Sequence, residues 1–309
     1  VDAVLEVGEG LVLDAARQMN ERRIGALCVI EGEKVVGMFT ERDVLRLAGD
    51  VGPVIRVLSG HEVAGEPATL DDLPEEFHYT RWTAERTIAH IERAAAAGRP
   101  FLTWASFHDP HPPYSVPEPW ASMYDDVDMP IPDSLNKTDA QTPAWAPRAK
   151  NVTEKTLSRI MPSYYGMVKC IDDNVGRILG ALRRNGLIEN TIVVFTADHG
   201  DLCGEHGRLN KGVPYEGSAK VPFVISAPGK IEGGRRIGQA LSCVDFQPTI
   251  LSLMGFAGSG EEQGRDASAL FAGPPSAGWN DVAFLRSTPG NEWLCAVTND
   301  CKLVVSPRE

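Results

Sequence analysis

The spacing of apolar and polar positions separates a short periodic N-terminal part from a longer remainder. Over residues 1–50 the pattern predicts the order helix, strand, strand, helix, with the helices at 12–23 and 40–47. The two strands, ALCVIE and KVVGMFT, are separated by a short polar turn, which is typical of an antiparallel pair. We therefore expect a small α+β unit at 1–52.

Glycine and proline residues interrupt the pattern between 53 and 73, which indicates a linker or junction. The remainder, 74–309, is predicted to form a second domain in which helices alternate with apolar strands. This alternation favours an α/β fold with a largely parallel sheet. The predicted elements are a helix at 81–97 that ends at Gly98, buried strands at 101–107, 191–197 and 221–226, and a long helix at 154–184.

Two boundaries in this second domain carry further expectations. Asn151 with Glu154 is a candidate capping box for the long helix, and Gly186 follows the end of that helix. Residues 108–150 contain many prolines and no periodicity, so they are expected to form a long loop region. Loops of that length in compact domains are usually functional or disordered.

Composition excludes several classes of function. Lys and Arg number 30 against 42 Asp and Glu, and a formal net charge of −12 disfavours nucleic acid and anionic membranes as partners. No apolar run approaches the roughly 18 residues of a spanning helix, and the first residues lack the features of a signal peptide. We therefore expect a cytoplasmic protein. The six cysteines form no C-x-x-C pair and are expected to be mostly buried thiols.

The strongest candidate for chemistry follows the predicted strand 191–197. Asp198, His199 and Gly200 stand at its carboxyl end, where ligands bind in open α/β sheets. A carboxylate and an imidazole side by side can both turn toward one cation, which makes Asp198 and His199 candidate metal ligands. The alternative interpretation is a helix-capping aspartate in a solvated loop.

Four more polar side chains are candidates for the same chemistry. Lys211 can place a positive charge on a bound oxyanion, and His111, held between prolines after strand 101–107, can bind an anion or protonate a leaving group. His108 and His206 are candidates for orienting a metal ligand or the anion. The alternatives are a structural histidine in a proline-rich loop and, for His206, an exposed loop residue.

Together these segments resemble the sulfatases of the alkaline-phosphatase-like superfamily. The resemblance rests on GRPFLTWASFHDPHPPYSVPEPW, on IVVFTADHGDLCGEHGRLNKGVPYEGSAKVPFVISAPG and on VDFQPTILSLMG, in that order, and runs from about residue 74 to the end. It implies a metal-dependent hydrolase of sulfuric esters with flanking helices around its sheet. Asp198 and His199 then correspond to two ligands of a divalent cation (Ca²⁺, Mn²⁺ or Mg²⁺), and Lys211 and His111 to the residues that contact the sulfate and the departing alcohol.

The sequence departs from this family in the segment that carries the nucleophile. The family uses a Cys or Ser in C/S-x-P-x-R, converted to formylglycine, and no cysteine here is followed by that pattern. Ser226-Ala-Pro-Gly-Lys comes nearest, but it ends in lysine and follows the metal-pair motif. The early aspartate ligands of the family are also not found. The resemblance therefore predicts a truncated sulfatase domain that lacks the N-terminal half and its nucleophile.

The N-terminal part has a resemblance of its own. DAARQMNERRIGALCVIEGEKVVGMFTERDVLR resembles one CBS repeat, and Thr40 and Asp43 match the ribose-contacting pattern of members that bind adenine nucleotides. The same two residues also fit a helix N-cap with an acidic residue in the first turn. CBS repeats form their cleft in pairs, so a single repeat implies a homodimer.

Three functions are consistent with these features. The first is hydrolysis of a small-molecule sulfate ester. The second is hydrolysis of a phosphonate or phosphate ester, since Lys211 and His111 do not discriminate between tetrahedral oxyanions. The third is a nucleotide-sensing CBS module fused to an inactive hydrolase body.

Overall fold

The computed structural model of the chain describes residues 75, 78–137, 142–143, 145–272, 278–287 and 293–306, and the backbone of three N-terminal strands. Contacts along the chain divide it into two units, Val1–Phe77 and His78–Glu309.

The first unit contains a three-stranded sheet. Its strands are β1 (Val4–Glu6), β2 (Ala26–Glu31) and β3 (Lys34–Thr40), in the order β1-β2-β3. β2 and β3 pair antiparallel, which confirms the predicted pair, and β1 joins β2 in parallel. The helices predicted at 12–23 and after Thr40, and the junction at 53–73, lie outside the described residues.

The second unit combines two long helices with short strands. Its elements are α1 (Tyr79–Ala96), α2 (Glu154–Arg184), β4 (Val193–Thr196), α3 (Glu216–Ala219), β5 (Phe223–Ser226), α4 (Phe246–Met254), α5 (Ser268–Ala272), β6 (Ala283–Arg286), β7 (Leu294–Val297) and β8 (Lys302–Val305). β4 pairs with β5, and β6, β7 and β8 form a separate sheet. Every one of these pairings is antiparallel, so the expected parallel arrangement is wrong for the described strands of this unit.

The two long helices match their predictions closely because their signals are local. α2 occupies the predicted 154–184, and Gly98 and Gly186 follow the two helices with positive φ, the conformation that glycine adopts without steric cost. The expected capping box at Asn151 is wrong. Thr153 is the N-cap instead, and its hydroxyl accepts a hydrogen bond of 3.2 Å from the amide of Thr156.

The segment 101–107 is not the buried strand that its apolar run predicts. It pairs with no other strand among the described residues, and the side chains of Leu102 and Trp104 are 77% and 71% exposed. The indole of Trp104 contacts the ring of Phe246 edge to face. A strand requires a neighbour to bond its backbone, and the local pattern carries no information on where that neighbour lies.

The proline-rich region after this segment is irregular, as expected, but much of it is packed. Val116 and Trp120 are buried against Met167 and Cys170 of α2. The approach is close at Gly166, where a Cβ would lie 2.3 Å from the carbonyl oxygen of Trp120. This contact fixes the start of the region against the middle of α2, which in turn packs on α1.

A buried carboxylate fixes the C-terminal part. Asp245, which is 3% exposed, accepts hydrogen bonds from the backbone amides of Ser242 and Arg265 and from the guanidinium of Arg265. Burial raises the pKa of this carboxyl, but the Arg265 side chain and the two amides outweigh burial and hold the net pKa below its usual range. The carboxylate therefore joins the start of α4 to the segment that leads into α5.

The cysteines of the second unit divide between the interior and the surface. Cys170 and Cys295 are buried, Cys203 is partly buried, and Cys243 and Cys301 are exposed, so the expectation of mostly buried thiols holds only in part for them. The side chain of Cys28 lies outside the described residues. Within the described part of the chain, no helix has both the length and the apolar character that crossing a membrane requires.

The turn after β4 packs tightly against α3. The amide of Gly200 donates a hydrogen bond of 2.9 Å to the carbonyl of Ser218. A Cβ at Gly200 would lie 2.1 Å from the carbonyl oxygen of Gly217, a distance that no side chain tolerates without a backbone shift. Glycine is therefore required by space at this position.

We expect Gly200→Ala to destabilise the second unit by about 1–3 kcal/mol because the added methyl group overpacks the α3 backbone. All six tryptophans lie between 82 and 293, so urea unfolding followed by tryptophan fluorescence reports on this unit alone. Gly176→Ala is the matched control. Gly176 lies inside α2 with open space at its Cβ position, and alanine there should stabilise by about 0.5–1 kcal/mol. Equal midpoints for Gly200→Ala and the unmodified chain would contradict the packing argument.

Candidate active site

Asp198 and His199 lie at the carboxyl end of β4, as the sequence predicts. The Asp198 side chain is 86% exposed, and its Oδ1 accepts a hydrogen bond of 2.8 Å from the His199 amide. Oδ2 lies 3.6 Å from His199 Nε2. The strand thus delivers a carboxylate oxygen and a ring nitrogen to the same side of the turn.

The hydrogen bonds of His199 leave the correct nitrogen for a metal. Nδ1 lies 2.8 Å from the carbonyl oxygen of Gly200, and a carbonyl accepts only, so Nδ1 carries the proton. Nε2 lies on the side of Asp198 Oδ2, and in the neutral imidazole it presents its lone pair there. A ligating histidine typically donates its other N–H to a backbone carbonyl in this way, so the two residues fit a divalent cation.

Lys211 and His111 meet although a hundred positions separate them. Lys211 Nζ lies 2.7 Å from His111 Nε2, and His111 Nδ1 lies 2.7 Å from the carbonyl oxygen of Pro112. Because the carbonyl only accepts, Nδ1 donates to it and Nε2 accepts from the lysine ammonium. The pair therefore consists of a neutral imidazole and a cation that retains further N–H donors for a ligand.

A second contact joins the same two loops, and the sequence analysis missed it. The hydroxyl of Tyr114 donates a hydrogen bond of 3.0 Å to Asp201 Oδ2, while Asp201 Oδ1 accepts from the amides of Cys203 and Asn210. Burial, followed by the negative charge of Asp201, raises the pKa of Tyr114. The sequence offered one indication of this contact, which is the position of the two residues. Tyr114 is the last residue of HDPHPPY, and Asp201 lies three positions after Asp198.

His108 and Asp109 face the start of α1. The ring of His108 lies 4.9 Å from the ring of His111 and 5.4 Å, edge to face, from the ring of Tyr79. The carboxylate of Asp109 accepts hydrogen bonds from the hydroxyls of Tyr79 and Thr80. Burial raises the pKa of Asp109 to about 6, against the smaller opposing effect of those two hydroxyls. The structure therefore places His108 beside His111.

His206 lies on an aromatic ring. Its imidazole stacks on Tyr215 with the centroids 3.7 Å apart, and its amide donates to the hydroxyl of Ser134. Burial, followed by the charge of Lys137, lowers the pKa of His206. These contacts involve neither Asp198 nor His199, so a role of His206 in orienting those ligands stays a prediction.

An open cavity of about 470 Å³ borders the His206 and Tyr215 pair. It is also lined by Ser134, Lys137 and Lys302.

The remaining predicted residues belong to the first unit. Thr40 is the last residue of β3, and Asp43 lies outside the described residues. The nucleotide-binding role assigned to them stays a prediction.

Two family models match the chain. The Sulfatase model matches residues 34–256, and the CBS domain model matches residues 8–50. The sulfatase match contains Asp198, His199, His111 and Lys211, and the two matches overlap at 34–50.

Individual relatives point the same way. The chain is 37% identical to an arylsulfatase of Clostridium perfringens over 190 residues, 57% of this chain and 38% of that protein. It is 28% identical to the multifunctional alkaline phosphatase superfamily protein PehA of Trinickia caryophylli over 216 residues, 63% of this chain and 41% of that protein. The chain thus spans about two fifths of the length of these curated relatives.

A solved structure shows the same architecture. The phosphonate monoester hydrolase of Agrobacterium radiobacter superposes with a TM-score of 0.62 at 25% identity, covering 85% of this chain and 61% of that one. With a family model matched over most of its length and an alkaline-phosphatase-like α/β architecture, this chain belongs to the sulfatase family.

Proposed function

We propose that the second unit binds a sulfate monoester and supplies the groups that hold its sulfate and its departing oxygen. The observation that carries the proposal is the contact of 2.7 Å between Lys211 Nζ and His111 Nε2. This contact joins the imidazole of His111, from the loop after segment 101–107, to the ammonium of Lys211, from the loop after β4. The similarity to an arylsulfatase supports the choice of ester.

The chemistry of the pair follows from its hydrogen bonds. Cleavage of a sulfate ester leaves negative charge on the alcohol oxygen, which needs a proton donor or a cation. An ammonium has three donors; one is directed to His111, and the others can reach an ester oxygen. His111 holds the lysine in place through its neutral Nε2.

Asp198 and His199 would hold the divalent cation that the family implies. When bound there, such a cation supplies Lewis-acid polarisation of a sulfate oxygen. The chain's contribution is to orient its ligands. The Gly200 carbonyl fixes the tautomer of His199, and the His199 amide fixes the carboxylate of Asp198.

We further propose that this chain does not complete the reaction by itself. Its sequence contains no C/S-x-P-x-R nucleophile motif, and two protein ligands do not fill an oxygen-rich site of six positions. The proposal is therefore binding of the ester without turnover.

Two observations favour other functions. The likeness to a phosphonate monoester hydrolase favours phosphonate or phosphate esters, which present the same tetrahedral oxyanion to Lys211 and His111. The CBS match favours an adenine nucleotide at the first unit, with Thr40 and Asp43 on the ribose and a homodimer that completes the cleft.

We expect Lys211→Ala to weaken binding of an aryl sulfate at least about tenfold, because a hydrogen bond from a charged donor contributes about 1.5–3 kcal/mol. Isothermal titration calorimetry with 4-nitrophenyl sulfate and added Ca²⁺ or Mn²⁺ measures this change, and an aryl phosphonate run in parallel distinguishes the two ester classes. The exposed Lys150→Ala is the matched charge control and should bind as the unmodified chain does.

Release of nitrophenol tests the proposal that the chain binds the ester without hydrolysing it. No turnover by the unmodified chain is expected. Turnover that disappears in Lys211→Ala would show that the chain contains a nucleophile, and incompleteness would be wrong. Equal affinity of Lys211→Ala and the unmodified chain would remove the lysine from the binding site.

We expect Ca²⁺, Mn²⁺ or Mg²⁺ to raise the unfolding temperature of the chain after chelator treatment, because a ligand that binds only the folded state stabilises it. Asp198→Asn should abolish the increase, since it removes the exposed carboxylate charge. Asp128→Asn, another exposed carboxylate, should retain the increase. The same increase in Asp198→Asn would disprove the assignment of this ligand.

For the first unit, we expect ATP, AMP or S-adenosylmethionine to raise the unfolding temperature and Asp43→Ala to cancel the effect. Absence of any shift at millimolar ligand would count against nucleotide binding.

A further inference from the structure

Three residues from distant parts of the second unit meet in its interior. His78 precedes α1, Asp109 lies in the loop after segment 101–107, and Cys170 lies in the middle of α2. Their exposures are 0%, 5% and 0%. One ligand atom from each lies within 4.8 Å of the others, and His78 Nδ1 is 4.0 Å from Asp109 Oδ2.

The donor set and its dimensions suit zinc. Imidazole nitrogen, thiolate sulfur and carboxylate oxygen are the ligands that zinc takes in proteins, at about 2.0–2.3 Å. In a tetrahedron of that size the ligand atoms lie about 3.3–3.8 Å apart. Small side-chain rotations would bring the three atoms from their present separations to that distance, and a water molecule would complete the fourth position.

Neighbouring side chains already place hydrogen-bond donors on two of the ligands. The hydroxyls of Tyr79 and Thr80 donate to the two oxygens of Asp109. The amide nitrogen of Asn174, which is 1% exposed, lies 3.7 Å from Cys170 Sγ and 2.9 Å from the Cys170 carbonyl. Donors of this kind orient metal ligands and stabilise the charge of a thiolate.

Charge gives an independent reason for a cation. The two hydroxyls on Asp109 are neutral, so they contribute no positive charge beside this buried carboxylate. His78 Nδ1 accepts from the Thr80 amide at 3.4 Å, so it carries a lone pair, and zinc would take that lone pair in place of this long contact. A cation beside a buried carboxylate lowers the cost of burying its charge. Zinc binding would release the Cys170 thiol proton, and Zn²⁺ with one carboxylate and one thiolate has zero net charge.

We propose that His78, Asp109 and Cys170 form a structural zinc site. It uses none of the residues of the candidate active site, in which Asp198 is exposed and His199 half-buried, and it does not depend on the proposed function. Such a site would join the start of α1, the loop that carries the candidate active-site histidines, and α2.

The test uses Co²⁺ as a spectroscopic substitute for zinc in the full chain. The background variant carries Cys243→Ala and Cys301→Ala, which removes the thiols that are exposed in the second unit. After chelator treatment, one equivalent of Co²⁺ should produce a thiolate-to-cobalt charge-transfer band that one equivalent of Zn²⁺ displaces. Cys170→Ala and Asp109→Asn should lose the band, whereas Cys295→Ala, the matched buried-thiol control, and Asp198→Asn should keep it.

X-ray absorption at the zinc edge of the background variant is a second test, which applies even if Cys170→Ala and Asp109→Asn do not fold. One sulfur at about 2.3 Å with the remaining nitrogen or oxygen ligands at about 2.0–2.2 Å is expected. A shell without sulfur, a band that survives in Cys170→Ala, or zinc lost on gel filtration would overturn the proposal. In that case the cluster is a hydrogen-bonded or imidazolium–carboxylate pair only.

Discussion

The carboxylate of Asp201 holds together the two loops on which the candidate active site depends. One oxygen accepts two backbone amides and closes the turn after the metal-pair motif, and the other accepts the hydroxyl of Tyr114 from the loop after segment 101–107. Lys211 then reaches His111 across the same junction. No pair of described strands joins these two loops, so the side-chain contacts take the role that a ladder of backbone hydrogen bonds plays elsewhere.

Backbone carbonyls orient the rings of two histidines in the candidate active site, His111 and His199. Backbone carbonyls accept only, and both His111 and His199 have Nδ1 against a carbonyl, Pro112 for His111 and Gly200 for His199. Nε2 of His111 then accepts from an ammonium, and Nε2 of His199 lies beside a carboxylate. The local backbone thus orients the ring of His111 toward Lys211 and the ring of His199 toward the carboxylate of Asp198.

The interior of the second unit is organised around α2. One side of this helix packs against α1, and its middle receives Val116 and Trp120 from the proline-rich region. Gly166 permits that approach, and Cys170 brings a thiol to the buried start of α1. The extended segment 101–107 contrasts with this close packing, because Leu102 and Trp104 present large apolar surfaces without a paired strand in the described region.

The sequence alone determined the two long helices, the hairpin of the first unit and the positions of the candidate residues after β4. These features depend on signals within a few residues, namely apolar periodicity, glycines that accept positive φ, and a motif that follows a strand. Tertiary structure decided the contact of Lys211 with His111, the bridge from Asp201 to Tyr114 and the antiparallel pairing of β4 with β5. Each of these contacts joins residues that are far apart in the sequence. They depend on how the chain folds in three dimensions, which no local pattern along the chain encodes.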